Sequence, residues 1–339
     1  MNVEGYVDQA EEAGLVYMTD EAPGHRRIRR GKGFSYVTSG GRAVGESERE
    51  RIKSLAIPPA WEKVWISPQP LGHILATGYD AAGRKQYIYH PEWELIRDDV
   101  KFQRMGEFGA KIVRIRKLVD SDLRKRGLGR EKVVALAVAV LDRTLIRVGN
   151  RRYTEENGSY GLTTLTKQHL GLSGHQVQLA FEAKGGAEHE VVFESRRLAS
   201  LLARCQELRG QTLFSYELDG DIGAIRSDDV NDYLTAAAGF RCTAKDMRTW
   251  GATTHVVQQL AERPREDGKP EERILQAIDS AAEALGNTRA VCRASYVHPE
   301  IPEAYQDGRL EDAWEQSRRG SWLSRAESAG RKLLENDGT

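Results

Sequence analysis

Five residues of this chain, Arg147, Lys184, Arg248, Asn287 and Tyr296, are of types that together could act on a phosphodiester. A phenol ionises only near pH ~10, so it attacks poorly at neutral pH unless nearby positive charge favours its anion. Two guanidiniums can grip non-bridging phosphate oxygens in pairs and stabilise the charge that grows on them in the transition state. The leaving oxygen needs a proton, which a lysine can supply if neighbouring cations lower its pKa. Asparagine adds a neutral hydrogen-bond donor. Fixed cations of this kind do the work of a metal ion, and no acidic cluster suited to Mg²⁺ stands beside them in the sequence. Each residue alone has a plainer reading. Tyr296 is one of 12 tyrosines and could simply pack on a core.

The elements that must position these groups can be read from pattern. Residues 131–146 are almost wholly apolar and predict a buried helix, which ends in Arg147-Val148-Gly149-Asn150. A charge at the end of a buried helix is costly without a partner. That partner is either a structural carboxylate or an anion that arrives later. Val177, Leu179 and Phe181 alternate, as do Glu190, Val192 and Glu194, around Lys184-Gly185-Gly186. This is a hairpin with Lys184 at its tip. Thr243 with Asp246 makes a capping box for a helix through Glu262, stopped by Pro264, and Lys245 and Arg248 lie near its start. Free N–H groups there suit an anion. An amphipathic helix over 271–285 runs into Gly286, and Asn287 lies nine residues before Tyr296 on a short following helix.

The remainder divides into two parts. Residues 1–95 read as a small mixed domain. Strands are expected at Leu15–Tyr17, Phe34–Val37, Val64–Ile66, His73–Thr77 and Arg84–Tyr89. Ser47 and Glu50 predict a capped helix through Ala56, ended by Pro58-Pro59. Tyr87 and Tyr89 share one strand face beside Arg84 and Lys85, which suits nucleic acid or an ordinary half-buried strand equally. Near Trp93–Lys101 the pattern turns helical, so the second domain covers 98–325. Helices are expected at 101–127 and Ser195–Arg209, with one capped by Ser227 and ended by Gly239. Tyr153–Gly161 reads as a polar loop.

Composition narrows the function classes. The chain has 339 residues, 40 % of them hydrophobic, with no apolar run near the ~20 residues that span a bilayer. Three scattered cysteines and eight histidines without metal-ligand spacing suggest neither disulfides nor a metal site. A cytoplasmic location fits. Formal charge balances at 50 against 50, yet residues 26–42 hold six Lys/Arg and no acid, and 101–132 hold eleven Lys/Arg against four acids. Such concentrated charge can bind a polyanion even on a neutral chain, or can be a solvated face.

Taken in order, Ile146-Arg147-Val148-Gly149-Asn150, Tyr160-Gly161-Leu162-Thr163-Thr164-Leu165, Lys184 in its hairpin, Lys245-Asp246-Met247-Arg248-Thr249-Trp250-Gly251, and Gly286-Asn287-Thr288 with Tyr296 resemble the small type IB DNA topoisomerases of bacteria and poxviruses. So do Ile57-Pro58-Pro59-Ala60-Trp61-Glu62-Lys63-Val64-Trp65-Ile66 and Gly83-Arg84-Lys85-Gln86-Tyr87. The resemblance runs from about Gly14 to Trp322. It implies an α+β fold, with an N-terminal antiparallel β-sheet domain and a mainly α-helical catalytic domain carrying a small β-sheet. It implies that Tyr296 attacks DNA to form a 3′-phosphotyrosyl bond and release a 5′-hydroxyl. Arg147, Arg248 and Asn287 would hold the phosphate, and Lys184 with Arg147 would assist the leaving oxygen. Supercoils would relax without ATP, metal or other cofactor.

Implied DNA contacts are Gln86, Tyr87 and Tyr89 on the duplex, Arg84 and Lys85 on phosphates, and Gly149, Tyr153, Ser227 and Lys245 on the catalytic side. The protein would act as a monomer on duplex DNA, nucleoid-associated and off the membrane. One departure stands out: the poxvirus enzymes carry histidine where this chain has Asn287. The rival readings are a tyrosine recombinase, which usually carries a His-x-x-Arg motif where this chain has Lys245-Asp246-Met247-Arg248, a catalytically dead DNA-binding protein on the same scaffold, and an ordinary α+β protein.

Overall fold

The computed structural model describes the chain apart from residues 1–6, 8, 9, 12, 32, 82, 263–268 and 336–339, and apart from the side chains of 95–101 and 103. Pro264 and Lys32, used above, lie outside the described residues. The chain divides into two compact units, Met1–Lys101 and Phe102–Thr339.

In the first unit, strands β1 (His25–Arg30), β2 (Gly33–Val37), β3 (Glu62–Ile66), β4 (Ile74–Tyr79) and β5 (Lys85–Tyr89) form one antiparallel sheet in the order β2-β1-β3-β4-β5. Helix α1 (Glu46–Ser54) lays Ile52 against Val64, Ile66 and Ala76. The basic run is therefore a strand, which its charge concealed. Arg27 explains how it stays one. Its guanidinium donates to the carbonyls of Ile57 (3.1 Å), Pro58 (3.0 Å) and Trp61 (2.6 Å), and lies 4.2 Å from the Phe34 ring centroid. The Pro58-Pro59 turn cannot supply N–H partners of its own there, so the half-buried Arg27 satisfies its carbonyls. Two expectations fail. Val16 makes only an isolated bridge to Gly72, so Leu15–Tyr17 is not a strand. Helix α1 starts at Glu46 with Gly45 as its cap and no side-chain cap bond, so the Ser47–Glu50 box does not form.

The second unit is helical around one apolar core. Helix α2 (Pro91–Leu123) begins earlier than its apolar stripe suggested, and its buried Phe108, Ile112 and Ile115 face that core. Helix α3 (Arg130–Thr144) is buried nearly all round, as its unbroken apolar run requires. Tyr153 lies in a short helix α4 (Arg151–Asn157) rather than a loop, because the Asn150 side chain accepts from Tyr153 N at 3.2 Å. Strands β6 (Leu170–Ser173), β7 (Gln176–Ala183) and β8 (Ala187–Glu194) make the small sheet. Helix α5 (Arg196–Glu207) forms within the expected span, with Ser195 as its cap rather than its first residue. A two-stranded hairpin, β9 (Ser215–Leu218) and β10 (Asp221–Ala224), precedes α6 (Ser227–Ala238). Ser227 is the first helical residue of α6 and not its cap; Asp229 instead accepts from Arg226 N at 2.7 Å.

Then follow α7 (Ala244–Ala261), α8 (Pro270–Leu285), α9 (Arg289–Tyr296), α10 (Glu300–Asp307), α11 (Arg309–Glu315) and α12 (Arg325–Glu335). A buried ionic cluster ties α2, α3, α7 and α12. Arg116 donates to both oxygens of Asp142 (2.8 and 2.9 Å) and both of Glu327 (2.9 and 2.7 Å), and Trp250 Nε1 donates to Glu327 at 3.1 Å.

Candidate active site

Arg248 is the centre of the site. Helix α7 opens with the predicted box, Asp246 accepting from Thr243 N at 2.7 Å and from its hydroxyl at 2.8 Å. One turn on, Arg248 is only 4 % exposed. Its Nε donates to Leu145 O (2.6 Å), its Nη2 to Leu285 O (2.9 Å) and its Nη1 to Tyr296 Oη (3.1 Å). Leu145 and Leu285 stand at the C-terminal ends of α3 and α8, where carbonyls lack intrahelical partners and carry partial negative charge. Two helix ends thus hold a guanidinium that no carboxylate among the described residues neutralises. Burial pulls its pKa down to about 10; the Tyr296 phenol works against that and Arg147 adds to it, and the group stays charged at neutral pH.

Leu145 caps α3 in the left-handed conformation, at φ 53°, which reverses the chain and brings Arg147 back to the same place. Arg147 Nη2 donates to Gly286 O at 3.0 Å and to Asn287 Oδ1. Among the described residues the cation at the end of α3 therefore meets no carboxylate. Its partners are the peptide and amide oxygens that follow α8. Gly286, at φ 61°, allows this by turning α8 off with its carbonyl exposed to Arg147. With its oxygen committed, Asn287 points its Nδ2 away, and that buried donor finds no protein partner. Such groups are rare and costly in native folds.

Tyr296 is the last residue of α9 and half-buried. Its ring lies 5.0 Å from the Arg248 guanidinium carbon. Thr253, fully buried on α7, donates to Tyr296 O (3.0 Å) and accepts from His298 N (3.1 Å). The helix that supplies Arg248 thus also fixes the backbone of the phenol. Nothing in the sequence marked Thr253, because a buried threonine on a helix is usually read as core.

Arg147 with Asn287 and Arg248 with Tyr296 form two hydrogen-bonded pairs that meet through the Leu285–Asn287 backbone both arginines hold. Lys184 belongs to neither. It stands exposed at the β7–β8 tip, its ammonium 5.9 Å from the Tyr153 ring centroid. Tyr153 and Lys184 are accordingly neighbours, as are Gly149 and Gly161. A Cβ on Gly161 would sit 2.5 Å from Gly149 Cα and 2.7 Å from Arg147 O, so the two segments touch through glycine alone. Leu162 N donates to Arg147 O and Thr163 N to Val148 O, both at 2.8 Å. Lys245 is exposed in the first turn of α7, and Ser227 is half-buried at the start of α6.

His189 on β8 was overlooked, although it alternates with Val191 and Phe193 on the inward face. Its Nδ1 lies 3.4 Å from the point where a Gly286 Cβ would stand. Burial, then Arg147 and Arg248, depress its pKa below the ordinary imidazole value.

In the first unit, Tyr87 and Tyr89 stack on the outer face of β5, 5.6 Å apart and 9° from parallel. Lys85 shares that face and pairs with Asp20 at 2.5 Å; Arg84 pairs with Asp80 at 2.8 Å. Gln86 alternates to the other face, where it donates to Asp80 at 2.9 Å. Among the described residues no cluster of His, Cys, Asp or Glu could hold a metal, and no helix is long and apolar enough to cross a membrane.

Comparison with known proteins places these features in a family. Residues 90–319 match the model of the eukaryotic DNA topoisomerase I catalytic core, and 33–80 match the bacterial DNA topoisomerase IB N-terminal domain. The chain is 30 % identical to a DNA topoisomerase 1B of Acanthamoeba polyphaga mimivirus, over 80 % of this chain and 84 % of that one. It is 24 % identical to the DNA topoisomerase 1B of vaccinia virus, over 73 % and 76 % respectively. The XerH site-specific recombinase, solved bound to difH substrate in a post-cleavage complex, aligns with 60 % of this chain and 52 % of its own at 16 % identity and a TM-score of 0.37, too slight a likeness to argue from. On the matched catalytic core and the mimivirus relative, the chain belongs to the type IB DNA topoisomerase family.

Proposed function

We propose that this chain relaxes supercoiled duplex DNA by transient cleavage of one strand, with Tyr296 as nucleophile. Tyr296 Oη attacks the phosphorus and loses its proton to solvent; the 3′-phosphotyrosyl bond forms as the bond to the 5′ oxygen breaks, and Lys184 supplies the proton that oxygen takes up. The freed strand swivels, and the 5′-hydroxyl reverses the step. The phosphodiester energy stays in the covalent bond, so neither ATP nor a metal is consumed. Arg147, Arg248 and Asn287 hold the non-bridging oxygens.

One observation supports this above the others. Two guanidiniums with no carboxylate partner among the described residues share the Leu285–Asn287 segment, one bonded to the Tyr296 phenol at 3.1 Å and the other to Asn287, whose buried amide donor has no partner there. Such a site is electrostatically incomplete until an anion enters. Lys184 lies on a hairpin tip from which a flexible side chain can reach a bound duplex. Tyr87, Tyr89, Arg84, Lys85 and Gln86 would meet DNA from the N-terminal domain, residues 1–95, and Gly149, Tyr153, Ser227 and Lys245 from the catalytic domain, residues 98–325. The protein would work as a cytoplasmic, nucleoid-associated monomer.

The test is relaxation of supercoiled plasmid in EDTA without ATP, with the covalent adduct trapped and mapped. Tyr296→Phe should abolish relaxation and adduct while keeping duplex binding. Relaxation by that variant at the native rate removes Tyr296 from the mechanism.

A further inference from the structure

The imidazole of His189 stands where the incoming phosphate would change its surroundings most. The segment Leu285–Asn287 accepts from both catalytic arginines, Arg248 at Leu285 O and Arg147 at Gly286 O. His189 lies against the middle of it. A Cβ on Gly286 would have His189 Nδ1 at 3.4 Å and Arg147 Nη1 at 3.6 Å, so ring and guanidinium share one small space. From β7 the ring meets Phe181, edge to face at 5.4 Å. Phe181 carries no charge, and neither does Gly286. Helix α3, which also lies against β8, buries apolar side chains apart from Lys132 at its far end and Thr144. The charged groups facing His189 are thus Arg147 and Arg248, both positive. Among the described residues no carboxylate opposes them.

We infer that His189 is a sixth member of the active site, neutral in the free protein, which takes a proton from solvent when the scissile phosphate enters and adds its charge to the transition state. The physical reason is the sign of the local field. Burial and two guanidiniums disfavour the imidazolium while the site is empty. A phosphate diester between those guanidiniums offsets their repulsion, and the further negative charge of the pentacoordinate state favours the proton more strongly. This also bears on Asn287. An amide cannot bring the positive charge that a histidine there would, and His189 supplies one from beside Gly286. The inference rests on the proposed strand-transfer reaction.

The experiment is single-turnover cleavage of a duplex by the full chain across the imidazole range, for the native protein, His189→Gln and His189→Phe. A rise of ~1 pKa unit from the bound phosphate to the pentacoordinate state is worth tenfold in rate at low pH. The variants should therefore cleave about tenfold more slowly than the native protein below pH ~6.5, with the gap closing as pH rises. Identical pH profiles in all three overturn the inference. Should the variants fold poorly, the His189 imidazole can be titrated by NMR in the Tyr296→Phe protein, with and without uncleaved duplex. Its pKa should rise on adding DNA, and an unchanged or lower value overturns the inference. Absence of any covalent adduct with the native protein is a different outcome: it removes the strand-transfer reading itself.

Discussion

Gly161→Ala is the sharpest probe of how the fold aims Arg147. The new Cβ would lie 2.5 Å from Gly149 Cα, 2.6 Å from Gly149 N and 2.7 Å from Arg147 O, all backbone atoms. Carbon atoms rest at about 3.5 Å or more, so the two segments must part by roughly 1 Å. The bonds Leu162 N to Arg147 O and Thr163 N to Val148 O, now 2.8 Å, would then exceed hydrogen-bond range. Losing two such bonds costs about 2 kcal/mol, and in a unit of this size that lowers Tm by roughly 4–8 °C. A 1 Å displacement of a group that must grip a phosphate costs on the order of 10²-fold in rate. Single-turnover cleavage at low temperature, where the variant stays folded, separates the two effects. Gly129→Ala is the control, since a Cβ there meets nothing within 4 Å and φ is −67°. Cleavage by Gly161→Ala within a few-fold of native, at an unchanged Tm, would refute the claim that this crossing positions Arg147.

Further outcomes are expected. Lys184 is exposed, so Lys184→Ala should leave Tm unchanged yet slow cleavage by about 10²- to 10⁴-fold. A 5′-thiolate leaving group, which needs no proton, should restore the rate; if it does not, Lys184 is not the acid. Thr253→Val keeps the shape but leaves Tyr296 O and His298 N without their partner, and should cost about 1–3 kcal/mol of stability with slower cleavage, whereas Thr253→Ser retains both. Equal cleavage rates for these two variants would show that the hydroxyl does not position the phenol. Arg116→Met strands the buried Glu327 carboxylate and should cost about 3 kcal/mol in denaturant unfolding at neutral pH. Burial pushes that carboxyl up and the Arg116 pair more than reverses it. The native contribution is then present above pH ~4.3, the unfolded value, and is lost as pH falls through the lower folded value. The penalty of the variant should shrink over the same window, and a pH-independent penalty would argue against the ion pair as its source.

Much of this was legible in the chain. Apolar periodicity fixed α7 and α8, because a 3.6-residue stripe has few other uses, and the unbroken apolar run over 131–146 fixed α3. Alternation around Lys184-Gly185-Gly186 marked the β7–β8 hairpin. Identity and order of Arg147, Lys184, Arg248, Asn287 and Tyr296 were enough to propose the chemistry. Short-range signals failed where a distant partner decided. Arg27 turns a basic run into a strand by satisfying carbonyls 30 to 34 positions away. Tyr153 is a different case: a local cap three residues away, Asn150, winds it into a helix that the polar composition of the segment hid.

The tertiary structure alone decided who holds whom. Arg248 is anchored by carbonyls from positions 145 and 285, and Arg147 by the peptide after α8, contacts that span more than 100 residues for all but one of these anchors. No pattern along the chain encodes them, because a peptide oxygen looks the same at every residue. What makes these oxygens special is that helix ends leave them unpaired and that folding brings two such ends, with three oxygens between them, to one point. The roles of His189, Thr253 and Gly161 follow from that convergence, and so does the positive field in which the phenol sits.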